Sequence, residues 1–341
     1  MSAQPSGSLQ LPSRLASRVV SLAVHADWSI DPRKRWMAQA RRTRAGWRIM
    51  VPAPVGELGG FLARLLAAAG GGAVALGVDL PIGVPRAYAV RRGEDGFLHY
   101  LRQTAGWPDF FQVCATLPEL RVDRPFYPAR GVRGMTRAAH ASALGLGGPM
   151  GLSRACDRAT AERPAGAPLF WTLGANQSGK AAIAAWRDML LPALLGGAPL
   201  RVWPFEGALG ELLAPGTVTV AETYPAEALR HLGIRLKGSK RRQADRAAVS
   251  DLLLGAMATL RALPDATLAA AARDGFGADA AGEDRFDCIL GLLCVLNVLA
   301  GNRPDTAPND PWIQRWEGWV LGQTALPLRL PDADPIATIG I

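Results

Sequence analysis

The stretch Ala73 to Pro85, AVALGVDLPIGVP, constrains this chain's fold more than any other. It is a short apolar run with β-branched residues and a glycine, and it ends in Asp79. Pro81, Gly83 and Pro85 then stop further regular pairing. A run of this length, bounded by turn residues, predicts a fully buried strand. Open α/β sheets bind ligands beyond the carboxyl ends of such strands, so Asp79 is expected at the mouth of a site. The plainer reading is that Asp79 caps the turn after the strand. Two more runs share the pattern. Val19 to Ser29 (VVSLAVHADWS) carries Asp27 near its end, and Gly216 to Pro225 (GTVTVAETYP) carries Glu222 before a proline. If these strands are parallel neighbours, their carboxylates converge.

The rest of the chain fits an α/β organisation. Residues 1–17 read as a flexible lead. Arg35 to Arg42 and Gly46 to Val51 read as a hairpin that continues the first strand into an antiparallel meander. Glu57 to Ala69 reads as a helix ended by Gly70, Gly71 and Gly72. Strand, helix and buried strand form a crossover, which makes the Asp79 strand parallel to an earlier one. Residues from about 86 to 167 are irregular and aromatic, and read as an insertion capping the site. Leu152 to Arg163 is expected as a short helix, Pro168 to Leu173 as a strand, and Ala181 to Leu195 as a helix. Leu200 to Pro204 is expected as a strand, with helices at Ala226 to Leu232, Gln243 to Leu263 and Asp284 to Ala300. Residues 18–322 form the expected domain, and 323–341 a Pro-rich tail, frayed from residue 323 onward.

Within the domain, Asp284 and Asp287 (EDRFDCILGLL) stand at i and i+3, on one face of the last helix. Capping of the helix dipole is the alternative. Together with Asp27, Asp79 and Glu222 they make a set of carboxylates that cannot all stay ionised in a crevice without a cation, because like charges raise one another's pKa. Mg²⁺ or Mn²⁺ is the natural partner of an all-oxygen site. Two such ions would clamp the attacking and leaving oxygens of a phosphodiester. His25, two residues before Asp27, reads as a buried structural residue, with a proton shuttle as the alternative.

The segments DLPIGVP, AETYPAEALRHLG, KGSKRRQADRAAVSDLL and EDRFDCILGLL, with EGWVLG near the end, resemble signatures of domain-of-unknown-function family 429 over roughly residues 20 to 322. The resemblance implies a ribonuclease-H-like core: a mixed five-stranded sheet flanked by helices, with a large irregular insertion after the fourth strand. It also implies a predicted nuclease. Carried over, it makes Asp27, Asp79 and Glu222 the carboxylates of the first, fourth and fifth strands, which are parallel neighbours in that fold. Asp287 becomes the aspartate of the final helix. Where many members place a glycine-rich turn after the first aspartate, this chain has WSIDPRKRW.

The expected activity is divalent-metal-dependent phosphodiester hydrolysis. Asp27, Asp79, Glu222 and Asp287 would be catalytic ligands, with Asp284 assisting at the metal. Lys plus Arg number 38 against 29 acidic residues, a formal net charge of +9. That excess suits nucleic acid or nucleotides as partners, although a composition rich in Ala, Gly and Arg produces it without any selected partner. Lys237, Lys240, Arg241 and Arg242 lie ahead of a helix and read as phosphate contacts or as a solvated helix entry. Gly174 to Ala181 (GANQSGKA) nearly matches a phosphate-cradling loop, with Ala181 where Ser or Thr would hold Mg²⁺. It supports a second reading, a nucleotide-binding phosphotransferase or ATPase on the same core. The simpler expectation is that Asn176, Gln177 and Lys180 project polar groups toward the cleft. A catalytically silent binding protein is the third reading. The four cysteines form no CxxC pair, no signal pattern opens the chain and no apolar stretch is long enough to span a bilayer, so a cytoplasmic protein is expected.

Overall fold

The computed structural model describes residues 19–93, 95–131, 134–174 and 178–328. Its centre is an eight-stranded mixed sheet. The strands are β1 (Val20–Asp27), β2 (Trp36–Thr43), β3 (Gly46–Ile49), β4 (Ala53–Pro54), β5 (Ala73–Asp79), β6 (Leu200–Val202), β7 (Val218–Glu222) and β8 (Ala262–Pro264). They run in the order β6-β7-β5-β1-β2-β3-β8, with β4 paired to β2. β1, β5, β7 and β6 are mutually parallel, and β2 is antiparallel to both β1 and β3. The meander and the crossover expected from sequence are both present. The sheet has eight strands rather than five because three short segments, β4, β6 and β8, extend it.

Alternation along the strands assigns the two faces. Leu22, Val24 and Ala26 of β1, with Val74, Leu76 and Val78 of β5 and Val218 and Val220 of β7, join one core. That core also holds the helix Phe61–Ala69, the insertion's aromatic residues Tyr88, Tyr100, Phe110 and Phe126, and Phe170 just after it. The intervening residues Ala23, Ala73, Ala75 and Ala221 join a second core under the long helix Gly282–Leu299. Small residues on that face let the helix come close. A Cβ on Gly291 would lie 2.2 Å from the His25 ring, so only glycine fits there. The helix approaches antiparallel to β1, which sets Asp287, one turn before Gly291, over the strand end that carries Asp27.

Four expectations are corrected. Pro168–Leu173 is a turn with one isolated bridge, Tyr127 to Trp171, and not a strand. Leu152–Arg163 contains short 3₁₀ turns at Pro149–Leu152 and Ala155–Asp157 in place of an α-helix. Gln243–Leu263 breaks into helices Gln243–Ala247 and Ser250–Thr259, and then Arg261, at φ 52°, turns the chain into β8. Fraying does not begin at residue 323: Gln323 is buried and Leu328 donates its backbone N–H to the Ala159 carbonyl. Among the described residues no helix is long and apolar enough to cross a membrane.

Candidate carboxylate site

Asp27 and Asp79 are direct partners in the β1–β5 register, at the carboxyl ends of two adjacent parallel strands. Paired residues share a face of the sheet, and this one faces the long helix. Asp287, from the first turns of that helix, is buried there, and Asp284 stands half-buried one turn earlier. Burial first, then Asp79, Asp287 and Asp284, raises the Asp27 carboxyl well above its ordinary value. Burial pushes Asp79 up to about 7, against the pull of Lys240 and with the repulsion of Asp287 and Glu222. Asp287 is pushed up to about 6 by burial, again opposed by Lys240. Asp284 is raised by burial and by Glu283. Four carboxylates from two strands and a helix therefore feel one another in a crowded recess.

Lys240, read from sequence as a phosphate contact or part of a solvated helix entry, has a side chain 41% exposed that also makes an ion pair with the long helix. Its Nζ donates to Asp287 Oδ2 and lies 3.6 Å from Glu283. Burial works against its charge, but Asp287, Asp79 and Glu283 keep it protonated, with a pKa above the ordinary value. Asp287 Oδ1, the other oxygen, is buried without a hydrogen-bond partner. Arg241 and Arg242 remain exposed: Arg241 lies 3.9 Å from Glu283, and Arg242 pairs with Asp245 at 2.6 Å. Lys237 is exposed.

Glu222 is corrected as a ligand of this recess. It pairs with Val78, one position before Asp79, so its side chain leaves the sheet on the opposite face. There it meets the fully buried Arg154, whose two terminal nitrogens each lie 2.6 Å from a Glu222 oxygen. The same guanidinium holds Asp157 through two contacts of 2.9 Å. Glu222 also accepts from the Ile82 N–H at 2.8 Å, and Tyr224 donates to Asp157 at 2.9 Å. Among the described residues, Cys156, Asp157 and Glu222 form the one group with three ligand atoms within 4.8 Å of one another. Both of its carboxylates are already satisfied by Arg154. Sequence reasoning missed Arg154, Asp157 and Tyr224, since an arginine three residues before an aspartate in an irregular insertion carries no distinguishing signal.

The Gly174–Lys180 loop does not follow a strand, which removes the strand–loop–helix context of a phosphate loop. Lys180 is the third residue of the helix Ser178–Ala185, and among the described residues no hydrogen bond or ion pair joins it to the carboxylates. Asn176 and Gln177 lie outside the described residues. His25 is buried and neutral: burial lowers its pKa to about 3, and neither ring nitrogen has a partner. Comparison of the chain with protein-family models, with curated proteins and with solved structures found no match. The resemblance to family 429 rests on the quoted motifs alone.

The recess offers oxygen donors only. Oxygen donors are the kind a hard divalent cation takes, but no three from Asp27, Asp79, Asp284 and Asp287 lie within 4.8 Å of one another. The unpartnered Asp287 oxygen and the raised pKa values are what such a cation would relieve.

Proposed function

We propose that the recess binds Mg²⁺ or Mn²⁺ and hydrolyses phosphodiester bonds of nucleic acid. The observation that carries the proposal is the in-register pair Asp27 and Asp79 beneath Asp287, with one oxygen of Asp287 unanswered. Asp27, Asp79 and Asp287 would hold the ion, and Asp284 would orient its water. A bound ion supplies a more acidic water and neutralises charge on the phosphate. The protein's own residues orient the ion, hold it at the strand ends and exclude solvent from the side facing the long helix.

The ribonuclease-H-like reading and the resemblance to family 429 are supported by the parallel neighbours β1, β5 and β7 beside an antiparallel β2–β3 meander. Residues 86–167, read as the insertion, follow β5, the strand this reading takes as the fourth. The nucleotide-loop alternative has lost its preceding strand and is ranked below hydrolysis.

The test is cleavage of labelled single- and double-stranded DNA and RNA with Mn²⁺ and no nucleotide. Wild type is expected to cut at least one substrate, with Asp79→Asn reduced by roughly 100-fold or more and Lys180→Ala nearly unaffected. ATP binding that is lost in Lys180→Ala, with no cleavage by wild type, would reverse the ranking.

A further inference from the structure

We infer that the hairpin of β2 and β3 is a docking surface for the phosphate backbone of nucleic acid. The surface stands apart from the recess, and binding to it requires neither metal nor cleavage.

The segment Arg41 to Arg48, RRTRAGWR, carries four arginines and no acid. Arg41, Arg42, Arg44 and Arg48 are all exposed, and among the described residues none of them makes an ion pair. The acid that follows β8, Asp265, uses its Oδ1 to cap the helix Ala266–Arg273 through the Leu268 N–H. The register places Arg41 directly opposite Arg48, so both stand on one face of the sheet. Like charges directly opposed across two strands destabilise the pair. Nothing in the fold requires this arrangement, and an anion lying across the two guanidinium groups relieves it. Arg42 stands on the other face, its guanidinium 4.8 Å from the centre of the Trp47 ring, and Arg44 lies in the turn.

The turn that presents these arginines is held firmly. Trp47 donates its backbone N–H to the Arg261 carbonyl at 2.7 Å, and Arg261 Nη2 donates to the Ala45 carbonyl at 3.1 Å. Thr43 Oγ1 donates to the Gly46 carbonyl at 3.1 Å. Gly46, at φ 142°, admits no side chain, because a Cβ would lie 2.2 Å from the Arg261 oxygen. Arg41 is tied as well, through Nη1 to the Ala68 carbonyl at the end of the helix Phe61–Ala69.

The arrangement selects its occupant. Arg41 and Arg48 lie on one face, Arg42 on the other and Arg44 at the turn, so a single phosphate cannot meet all of them. An extended polyanion can, and the planar guanidinium fork matches the oxygens of each phosphate. The turn residues Thr43 to Gly46 include no large apolar side chain to enter a bilayer, which argues against a lipid surface. Arg41 is level with Leu22 of β1, five residues before Asp27. At about 3.4 Å per residue the hairpin end is roughly 17 Å along the sheet from the recess.

Fluorescence anisotropy of a short labelled DNA duplex, with the full chain in chelator, tests this on wild type and on Arg44→Gln with Arg48→Gln. Neither side chain bonds elsewhere in the fold, so the melting temperature is expected to hold. The double variant is expected to bind at least about fivefold more weakly at low salt, and to lower the log–log salt dependence by up to about 2. Unchanged affinity and slope, or no duplex binding by wild type, would overturn the inference. Binding of wild type to phosphatidylserine vesicles that the double variant loses, with duplex binding unaltered, would overturn it in favour of a membrane. Should the double variant fold poorly, Arg44→Gln alone must lower the slope by about 0.9, and an unchanged slope overturns the inference. The assay contains no metal and reads no turnover, so its failure leaves the hydrolytic reading of the recess untouched, and an inactive recess leaves the hairpin untouched.

Discussion

Two clusters of carboxylate and cation flank the same strand ends, and they are built oppositely. On the insertion side, Arg154 faces Glu222 and Asp157, and both acids are gripped through paired contacts of 2.6 and 2.9 Å. On the long-helix side, the Lys240 ammonium bonds Asp287 beside Asp27, Asp79 and Asp284, and a buried oxygen of Asp287 has no partner. The first cluster is closed and saturated. The second is partly open and short of positive charge. A satisfied buried network holds a fold together, whereas an unsatisfied one at a strand end waits for a ligand. One residue of register separates them: Asp79 pairs with Asp27, while Glu222 pairs with Val78 and so turns away.

The contrast breaks hardest at Arg154. Removing one partner of a buried charge pair leaves the other uncompensated, at a cost of about 3–5 kcal/mol. Arg154→Met is therefore expected to lower stability by that amount, read from the urea midpoint at pH 7. Because the guanidinium also reaches the carbonyls of Ile82 and Glu317, the variant loosens the insertion's hold on the core as well. A loss below about 1 kcal/mol would mean that the closed cluster is not structural.

Metal response should separate the two sides next. A ligand that binds only the native state stabilises it by about 2.7 kcal/mol when present at 100 times its Kd. Mn²⁺ is expected to raise the melting temperature of wild type and of Glu222→Gln, but not of Asp79→Asn. The reverse pattern, with the response lost in Glu222→Gln and kept in Asp79→Asn, would move the metal to the Arg154 side.

In the absence of metal, pH sharpens the same point. Asp79 has a folded-state pKa of about 7 against an ordinary 3.8, so between those values the unfolded chain ionises first. Raised acids of this kind favour the folded state at low pH, and that contribution is lost as pH climbs through the folded value. Metal-free wild type should lose stability from about pH 4 to about pH 7. Asp79→Asn should flatten that slope and gain on the order of 1–3 kcal/mol at pH 8. Stability that rises with pH in this window for metal-free wild type would mean that the recess is already neutralised.

Much of the recess was legible in the sequence. An apolar run that stops at an acid reveals both the strand and its functional end, which is why Asp27 and Asp79 were found together. The i, i+3 spacing of Asp284 and Asp287 gave the helix face. What stayed hidden depended on register and on long-range contacts. Whether Glu222 faced one core or the other turned on a single residue of offset, which no strand pattern reveals. Arg154 and Lys240 come from irregular or turn segments whose partners lie 68 and 47 residues away in sequence. Leu200 to Pro204 marks β6, but the short strands β4 and β8 escape a sequence reading because two or three residues carry no periodic signal. The break after Ala247 was hidden for a related reason: the apolar pattern of one long helix continues across it.

The smallest effect concerns the rim, where the same basic segment divides into inward and outward parts. Lys240 pairs with Asp287 and its side chain is 41% exposed, while those of Arg241 and Arg242 are 73% and 68% exposed. Exposed pairs such as Arg242 with Asp245 contribute little to stability, so Arg241→Ala with Arg242→Ala should leave the melting temperature nearly unchanged. If the rim instead guides a phosphate backbone, each lost contact lowers the log–log dependence of duplex binding on salt by about 0.9. The double variant should then reduce that slope by up to about 2, evenly across sequences, while turnover of prebound substrate stays the same. Contacts that position a substrate change how it arrives and not how it reacts. An unchanged slope would make these arginines a solvated helix entry. The case for nucleic acid would then rest on the recess and the β2–β3 hairpin, and the contrast between the two clusters would stand unaltered.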